Sequence, residues 1–181
     1  MTNTRKSLSP IIVLFAICLV VSFLLAGVYA VTKDRIAKAE EEALLNATKQ
    51  VLQTADTFTP LSQKGIEGYT GHKDGVLVGY VFINAVKGYG GSVTSIVGID
   101  CEGRVVGVSV SAPDETPGLG ANVTKESFLS QFLTKPDGYF SLGENVEAQT
   151  GATYSSRAVV DGINMALSSY RQIHQGGNAD E

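Results

Sequence analysis

The segment Thr150-Gly151-Ala152-Thr153-Tyr154-Ser155-Ser156 places four hydroxyl side chains, besides the tyrosine, within seven residues. Glycine and alanine, the two smallest residue types, separate them. The segment leaves an irregular stretch and runs into a pattern in which Val159, Val160, Ile163, Ala166 and Leu167 recur at helical spacing. A helix start carries unpaired backbone N–H groups and the positive end of the peptide dipole, so it suits a phosphate. Gly151 and Ala152 let the backbone approach such a group, and Ser155 or Ser156 has the side chain to cap the helix. The same residues also satisfy a plain Ser/Thr-rich helix cap with no ligand.

Two glycine-rich junctions lie upstream, Gly88-Tyr-Gly-Gly91 between two expected strands and Glu115-Thr-Pro-Gly-Leu-Gly120 between a strand and a helix. Each opens like a dinucleotide fingerprint, Gly88-x-Gly90 and Gly118-x-Gly120. Neither has the third glycine at the required offset or the βαβ setting, which argues against a Rossmann site. Singly, each reads as a tight turn. Asp114 and Glu115 are adjacent, which does not suit a paired acid and base, and a turn role is expected for them.

Together the three segments resemble a known family. Thr150-Gly-Ala-Thr153, followed by Ser155-Ser156, is similar to the Ser/Thr-Gly-Ala-Thr motif of the FMN-binding subunits of bacterial respiratory ion pumps. These are the G subunit of the Rnf complex and the C subunit of the sodium-translocating NADH:quinone reductase (Nqr). Lys87-Gly88-Tyr89-Gly90-Gly91 resembles the Gly-Tyr-Gly-Gly segment of Rnf G subunits rather than the Gly-Lys-Gly-Leu-Trp form of Nqr C subunits. Glu115-Thr116-Pro117-Gly118-Leu119-Gly120 matches a motif that both share. The lack of tryptophan and the short chain also fit Rnf better.

The resemblance implies an electron-transfer subunit of an ion-translocating ferredoxin:NAD+ oxidoreductase, a redox enzyme as a complex, with no catalysis by this chain alone. It implies FMN as cofactor, joined by a dedicated flavin transferase through its phosphate to Thr153 as a phosphodiester. Thr150, Gly151 and Ala152 would then form part of what the transferase recognises, beside Ser155 and Ser156. Lys87, Gly88, Tyr89, Glu115, Thr116, Pro117, Gly118, Leu119 and Gly120 are the implied flavin contacts. The implied partners are the other Rnf subunits in a bacterial or archaeal cytoplasmic membrane, with the soluble domain on its outer face. Physically, Pro117 fixes one torsion, the glycines remove side chains, and Leu119 supplies an apolar face for a planar ring. Backbone N–H groups there can hydrogen-bond the ring and shift its potential, Thr116 adds a hydroxyl, and Tyr89 and Tyr154 are candidates for stacking. Two other readings remain: a membrane-tethered binding or assembly module without flavin, and an FMN subunit of a related system such as Nqr.

The elements that must position these residues follow from the hydropathy pattern. Ile11 to Val31 is an uncharged apolar run of 21 residues, roughly 31 Å as a helix and long enough to span a bilayer. A cleavable signal peptide competes, given Arg5 and Lys6 and the small residues of Ala26–Ala30, but the run is too long for a usual apolar core of one. Thr32 to Leu52 reads as a helical stalk with Ile36, Ala39, Ala43, Leu44 and Val51 on one face. Thr54 to Gly65 reads as a connection. From Ile66 to Ala112 the pattern turns to strands, with Leu77–Val86, Ser92–Ile99 and Arg104–Ser111 singled out, the last two joined by a turn at Asp100–Gly103. A helix is expected over Asn122–Leu133, with Asn122 a candidate cap and Phe128, Leu129 and Phe132 on its core face. Lys135–Gly138 should end it, Asn145–Gln149 reads as a short strand, and Ser155–His174 as the last helix. The fold class is α+β: one N-terminal transmembrane helix, then one domain with an antiparallel sheet and flanking helices. The divisions are 1–10 cytoplasmic, 11–31 transmembrane, 32–55 stalk, 56–175 flavin-binding domain and 176–181 polar tail.

Charge and composition exclude several classes. Residues 1–35 carry a net +3 and the remainder −7, so the domain lacks the Lys/Arg patches that nucleic acid requires, and no nucleic-acid partner is expected. The basic residues on both sides of the span leave its orientation undecided. Cys18 and Cys101 are not expected to pair, and there is no Cys-x-x-Cys. His72 and His174 stand in no metal-ligand spacing, and no Gly-x-Ser-x-Gly elbow occurs, so neither metal chemistry nor serine hydrolysis is expected.

Overall fold

Helix α1 (Thr4–Val51) is 48 residues long and opens a structure, a computed structural model, that describes residues 4–63, 65–133 and 138–176. The chain divides into two units between Leu44 and Leu45. In the first unit the side chains from Ile11 to Val31 are apolar all round the helix and exposed. A soluble helix buries one apolar stripe, and this segment does not show that pattern. Among the described residues it is the one helix long and apolar enough to cross a membrane. Of the expected stalk face, Ile36, Ala39 and Ala43 are exposed, while Leu44 is half-buried and Val51 fully buried.

The second unit is built on a five-stranded antiparallel meander: β1 (Thr57–Pro60), β2 (Gly68–Lys73), β3 (Val76–Lys87), β4 (Ser92–Asp100) and β5 (Val105–Ser111), side by side in chain order. The three expected strands are β3, β4 and β5, and the α+β class with an antiparallel sheet holds. Strand β1 lies where a connection was expected, and β2 lies within the Ile66–Ala112 strand region, ahead of the first strand singled out there. β1 is four residues ending in Pro60, an edge-strand signature too short to show a period. β2 carries Gly68 and Gly71 in six residues, which erases its alternation.

Four of the sheet's glycines have a steric purpose. Gly71 faces Gly79 across β2 and β3, and Gly98 faces Gly107 across β4 and β5. A methyl at Gly98 or Gly107 would overlap the Val51 carbonyl oxygen, and one at Gly71 would overlap the Leu52 side chain. The glycines form a trough that seats the end of α1, where Thr48, Val51 and Leu52 are buried. On the opposite face lies α3 (Thr153–Gly176), burying Ala158, Val159, Ile163, Ala166 and Leu167 against Tyr80, Phe82, Val97, Ile99 and Val105. It approaches closely at Gly162, whose carbonyl accepts from Asn84 Nδ2 at 3.1 Å.

Between β5 and α3 the chain departs from expectation. The single helix expected over Asn122–Leu133 is a 3-10 turn (Gly120–Thr124), one short helix α2 (Glu126–Leu129) and a second 3-10 turn (Ser130–Phe132). Lys125, at φ −75° and ψ 142°, is extended and breaks the run. Asn122 does not cap a helix; its Nδ2 donates to the Gly118 carbonyl at 2.7 Å. Phe128, Leu129 and Phe132 are buried as expected, with Phe140 edge-to-face on Phe132. The strand expected at Asn145–Gln149 reduces to one bridge between Leu142 and Val146. The helix stop at Lys135–Gly138 lies, except for Gly138, outside the described residues, as does the 176–181 tail beyond Gly176.

The Asp100–Gly103 turn is held by its own first side chain. Asp100 Oδ1 accepts from the backbone N–H groups of Glu102 and Arg104, both at 2.9 Å, and Oδ2 accepts from Arg104 Nε at 2.8 Å. Burial alone would raise the Asp100 carboxyl, but the Arg104 backbone N–H, the guanidinium and the Glu102 N–H outweigh it and hold it below its ordinary value. A carboxyl lowered on folding adds stability above its unfolded pKa, and that stability is lost as pH falls through the folded value. Asp100→Asn is therefore expected to lower the unfolding temperature at neutral pH, with the gap to wild type closing in acid; a gap independent of pH would contradict this. Gly107→Ala is expected to cost about 1–3 kcal/mol, since a methyl there meets backbone rather than a movable side chain. Denaturant unfolding of the full chain in detergent measures it.

Candidate functional site

Three loops meet beside the start of α3. The first joins β3 to β4, closed by the Gly88 N–H donating to the Gly91 carbonyl at 2.8 Å. The second follows β5 and turns at Thr116–Ala121, where Leu119 and Ala121 both donate to the Thr116 carbonyl. Gly118 sits there at φ +77°, in the left-handed region that a side chain disfavours. The third leads into α3. Gly151 at φ +75° reverses the chain, Ala152 N–H donates to Gln149 O at 3.0 Å, and helix begins at Thr153.

One side chain from the second loop holds the other two. Glu115 is 4 % exposed. Its Oε1 accepts from the Tyr89 N–H at 2.7 Å and the Gly90 N–H at 3.3 Å, and its Oε2 accepts from the Ser155 hydroxyl at 2.8 Å. A methyl at Gly88 would overlap Oε1, one at Gly120 would overlap Oε2, and one at Gly90 would overlap the Asp114 carbonyl. Gly120, read from sequence as clearing space for a ring, clears space for a buried carboxylate, and Gly88, read as part of a tight turn, does the same. The expected turn role of Glu115 understates it. Ser155 is committed to Glu115 rather than to capping, and Ser156 Oγ accepts from the Gln149 N–H at 3.0 Å, pinning the lead-in loop.

Between the loops lies a cavity of about 310 Å³ lined by Tyr89, Glu115, Thr116, Leu119, Gly120, Gly151, Ala152, Thr153, Tyr154 and Ser155, at the small end of ligand sites. Nine of the sequence-predicted residues are therefore brought together there. Thr150, Ser156, Pro117, Gly118, Lys87 and Gly88 lie outside its lining: Ser156 is buried behind it, and Lys87 is exposed at the end of β3. Tyr154, a stacking candidate only, joins the set. Tyr89 and Tyr154 are 74 % and 73 % exposed, their ring centroids 6.4 Å apart at 43°. A larger cleft of about 670 Å³ runs past Gln50, Asp100 and Arg104. It gathers none of these residues, and its guanidinium is already paired with Asp100 and Glu102.

The lining fits a ligand with an anionic end and a flat apolar end. Thr153 is exposed at the first turn of α3, and among the described residues the N–H groups of Thr153, Tyr154 and Ser155 take no backbone acceptor. Such donors, with the helix dipole, attract a phosphate. Leu119 and the two tyrosines offer exposed apolar faces a few residues away. Among the described residues there is no cluster of metal-ligating side chains, and Cys18 and Cys101 are both free.

Comparison with known proteins points the same way. The model of the FMN-binding domain family matches residues 88–168, and that of the RnfG N-terminal region matches residues 9–51. The G subunit of the proton-translocating ferredoxin:NAD(+) oxidoreductase complex of Clostridium ljungdahlii is 33% identical over 157 residues, covering 83% of this chain and 84% of that one. The G subunit of the ion-translocating oxidoreductase complex of Methanosarcina acetivorans is 31% identical, covering 92% and 96%. Its counterpart in the Na(+)-translocating ferredoxin:NAD(+) oxidoreductase complex of Acetobacterium woodii is 29% identical, covering 90% of each. Among solved structures, the C subunit of the Na(+)-translocating NADH-quinone reductase of Parabacteroides distasonis superposes with a TM-score of 0.50 at 23% identity, over 59% of this chain and 61% of that one. That likeness is one of fold.

The Glu115–Ser155 contact is testable by itself. Hydrogen bonds to a charged group contribute about 1.5–3 kcal/mol. A double-mutant cycle of Glu115→Ala and Ser155→Ala, followed by denaturant unfolding, is expected to give a coupling energy in that range. Additive effects of the two substitutions would show that the contact carries no energy of its own.

Proposed function

Because the chain belongs to the family of G subunits of Rnf-type ion-translocating oxidoreductase complexes, we propose that it carries electrons within such a complex on an FMN linked covalently to Thr153. The observation that carries this reading is the placing of an exposed Thr153 hydroxyl at the N-terminus of α3, on the rim of the cavity that Leu119, Tyr89 and Tyr154 line. FMN supplies the redox chemistry when bound; the chain binds, orients and shields it. Thr153 Oγ1 forms a bond to the flavin phosphate, delivered by a flavin transferase from an activated phosphoryl donor whose leaving group departs with the hydroxyl proton. The first-turn N–H groups of α3 offset the remaining phosphate charge, a contribution of about 0.3–1 kcal/mol. Thr150, Gly151 and Ala152 shape the loop the transferase recognises, and Gly151 gives it the left-handed turn.

The apolar run of α1 anchors the chain in the membrane as a single span, with its domain on the outer face of the cytoplasmic membrane, beside the other members of the complex. The span covers 11–31 and the exposed stalk follows it, while the last turn of α1 belongs to the flavin domain. Covalent attachment suits that location, since a carrier outside the cytoplasm has no ready supply of replacement cofactor.

The full chain co-produced with a flavin transferase is expected to give a fluorescent band in a denaturing gel, and the peptide holding Thr153 a mass gain of FMN less one water. Thr153→Ala is expected to abolish both. Flavin retained in the denatured Thr153→Ala chain would contradict the assignment.

A further inference from the structure

Glu115 is a buried carboxylate for which cavity-forming alone is an incomplete explanation. It lines the cavity that also holds Thr153 and Leu119 on its rim. Among the described residues no Lys, Arg or His side chain pairs with it; its three donors are two backbone N–H groups and one serine hydroxyl, all neutral. A carboxylate could be replaced as a fastener by a neutral amide, yet a fixed charge here acts on whatever shares the cavity. Because the Glu115 carboxylate is itself buried, such a charge is screened less by salt and solvent than a surface one.

Resting on the flavin assignment above, we infer that Glu115 is a positioning residue that also sets the reduction potential of the bound flavin, holding it low. Each electron taken up adds one negative charge to the flavin until a proton from solvent follows it. The electron comes from a neighbouring redox group and leaves to another, and Glu115 neither gains nor loses electrons. The carboxylate opposes that added charge and so favours the oxidised form. Ser155 moderates the effect, because its hydroxyl draws charge density from Oε2. The hydrogen bonds from Tyr89 and Gly90 draw on Oε1 in the same way and keep the group fixed as the flavin changes charge.

The two side chains therefore predict shifts of opposite sign, which a merely structural role would not. The full chain, flavinylated by co-produced transferase and held in detergent, is titrated with dithionite while the flavin absorbance is followed. Glu115→Gln preserves the size and the acceptor at Oε1 while removing the charge, and its midpoint is expected to move to a more positive potential. Ser155→Ala keeps the charge but removes one donor, and its midpoint is expected to move to a more negative potential. An unchanged or more negative midpoint in Glu115→Gln overturns the inference. Should Glu115→Gln fail to fold, the direction in Ser155→Ala decides alone, and an unchanged or more positive midpoint there overturns it. A wild-type chain that takes no flavin at Thr153 refutes the flavin assignment and this inference with it. A flavin-bearing wild type whose variants titrate as it does refutes the inference only.

Discussion

A carboxylate taken out of water must be met by donors, and in this domain meeting that demand joins three loops that the sequence keeps far apart. Glu115 draws Tyr89 and Gly90 from the turn between β3 and β4, and Ser155 from the start of α3. The distance between donors and carboxylate leaves no room for a Cβ at Gly88 or Gly120. The glycine-rich motifs and the acidic residue are thus one packing solution. Without the carboxylate, two part-buried backbone N–H groups and the buried Ser155 hydroxyl would lose their acceptor. The cavity between the loops, with Thr153 on its rim, exists because that junction is closed.

The sheet divides two tasks between its faces. One face presents apolar side chains to α3 and so fixes where Thr153 stands. The other is stripped to glycine along Gly71, Gly79, Gly98 and Gly107 and receives the buried end of α1. A helix backbone can approach a sheet that closely only where side chains are missing. At the far end of α3 the Tyr170 hydroxyl donates to the Cys101 carbonyl at 2.8 Å, tying the helix to the turn that Asp100 holds. The helix that begins at the site is therefore restrained along its whole buried length.

The sequence made some of this legible and hid the rest for physical reasons. β3, β4 and β5 announce themselves through β-branched runs, and α3 through its helical period, because each buries a regular stripe. β2 has glycines where a stripe would be, and β1 is too short to display one. The run from Asn122 to Leu133 has the apolar spacing of a helix, but Lys125 in an extended conformation divides it, and no local signal marks that residue. At the site, residue types alone mark a hydroxyl-rich helix start at Thr150–Ser156 and an apolar Leu119 between glycines, and the family resemblance is what singles out Thr153. The resemblance also names Glu115, but its role in joining the loops is hidden, since its partners lie 26 and 40 residues away and an acidic residue before Thr-Pro-Gly reads locally as part of a turn. Only the exclusion volumes at Gly88 and Gly120 reveal what the glycines are for.

An electron carrier needs its cofactor held in one place while charge comes and goes, and here the hydrogen bonds to Glu115 fix the loops that surround the cavity. Amide hydrogen exchange of the full chain at Tyr89 and Gly90 addresses the junction most directly. Both residues sit in an exposed four-residue turn that local structure alone would leave fast. The Glu115 carboxylate predicts that their amides exchange as slowly as those of the neighbouring strands. Exchange at the rate of an open loop, with β3 and β4 still protected, would contradict the account.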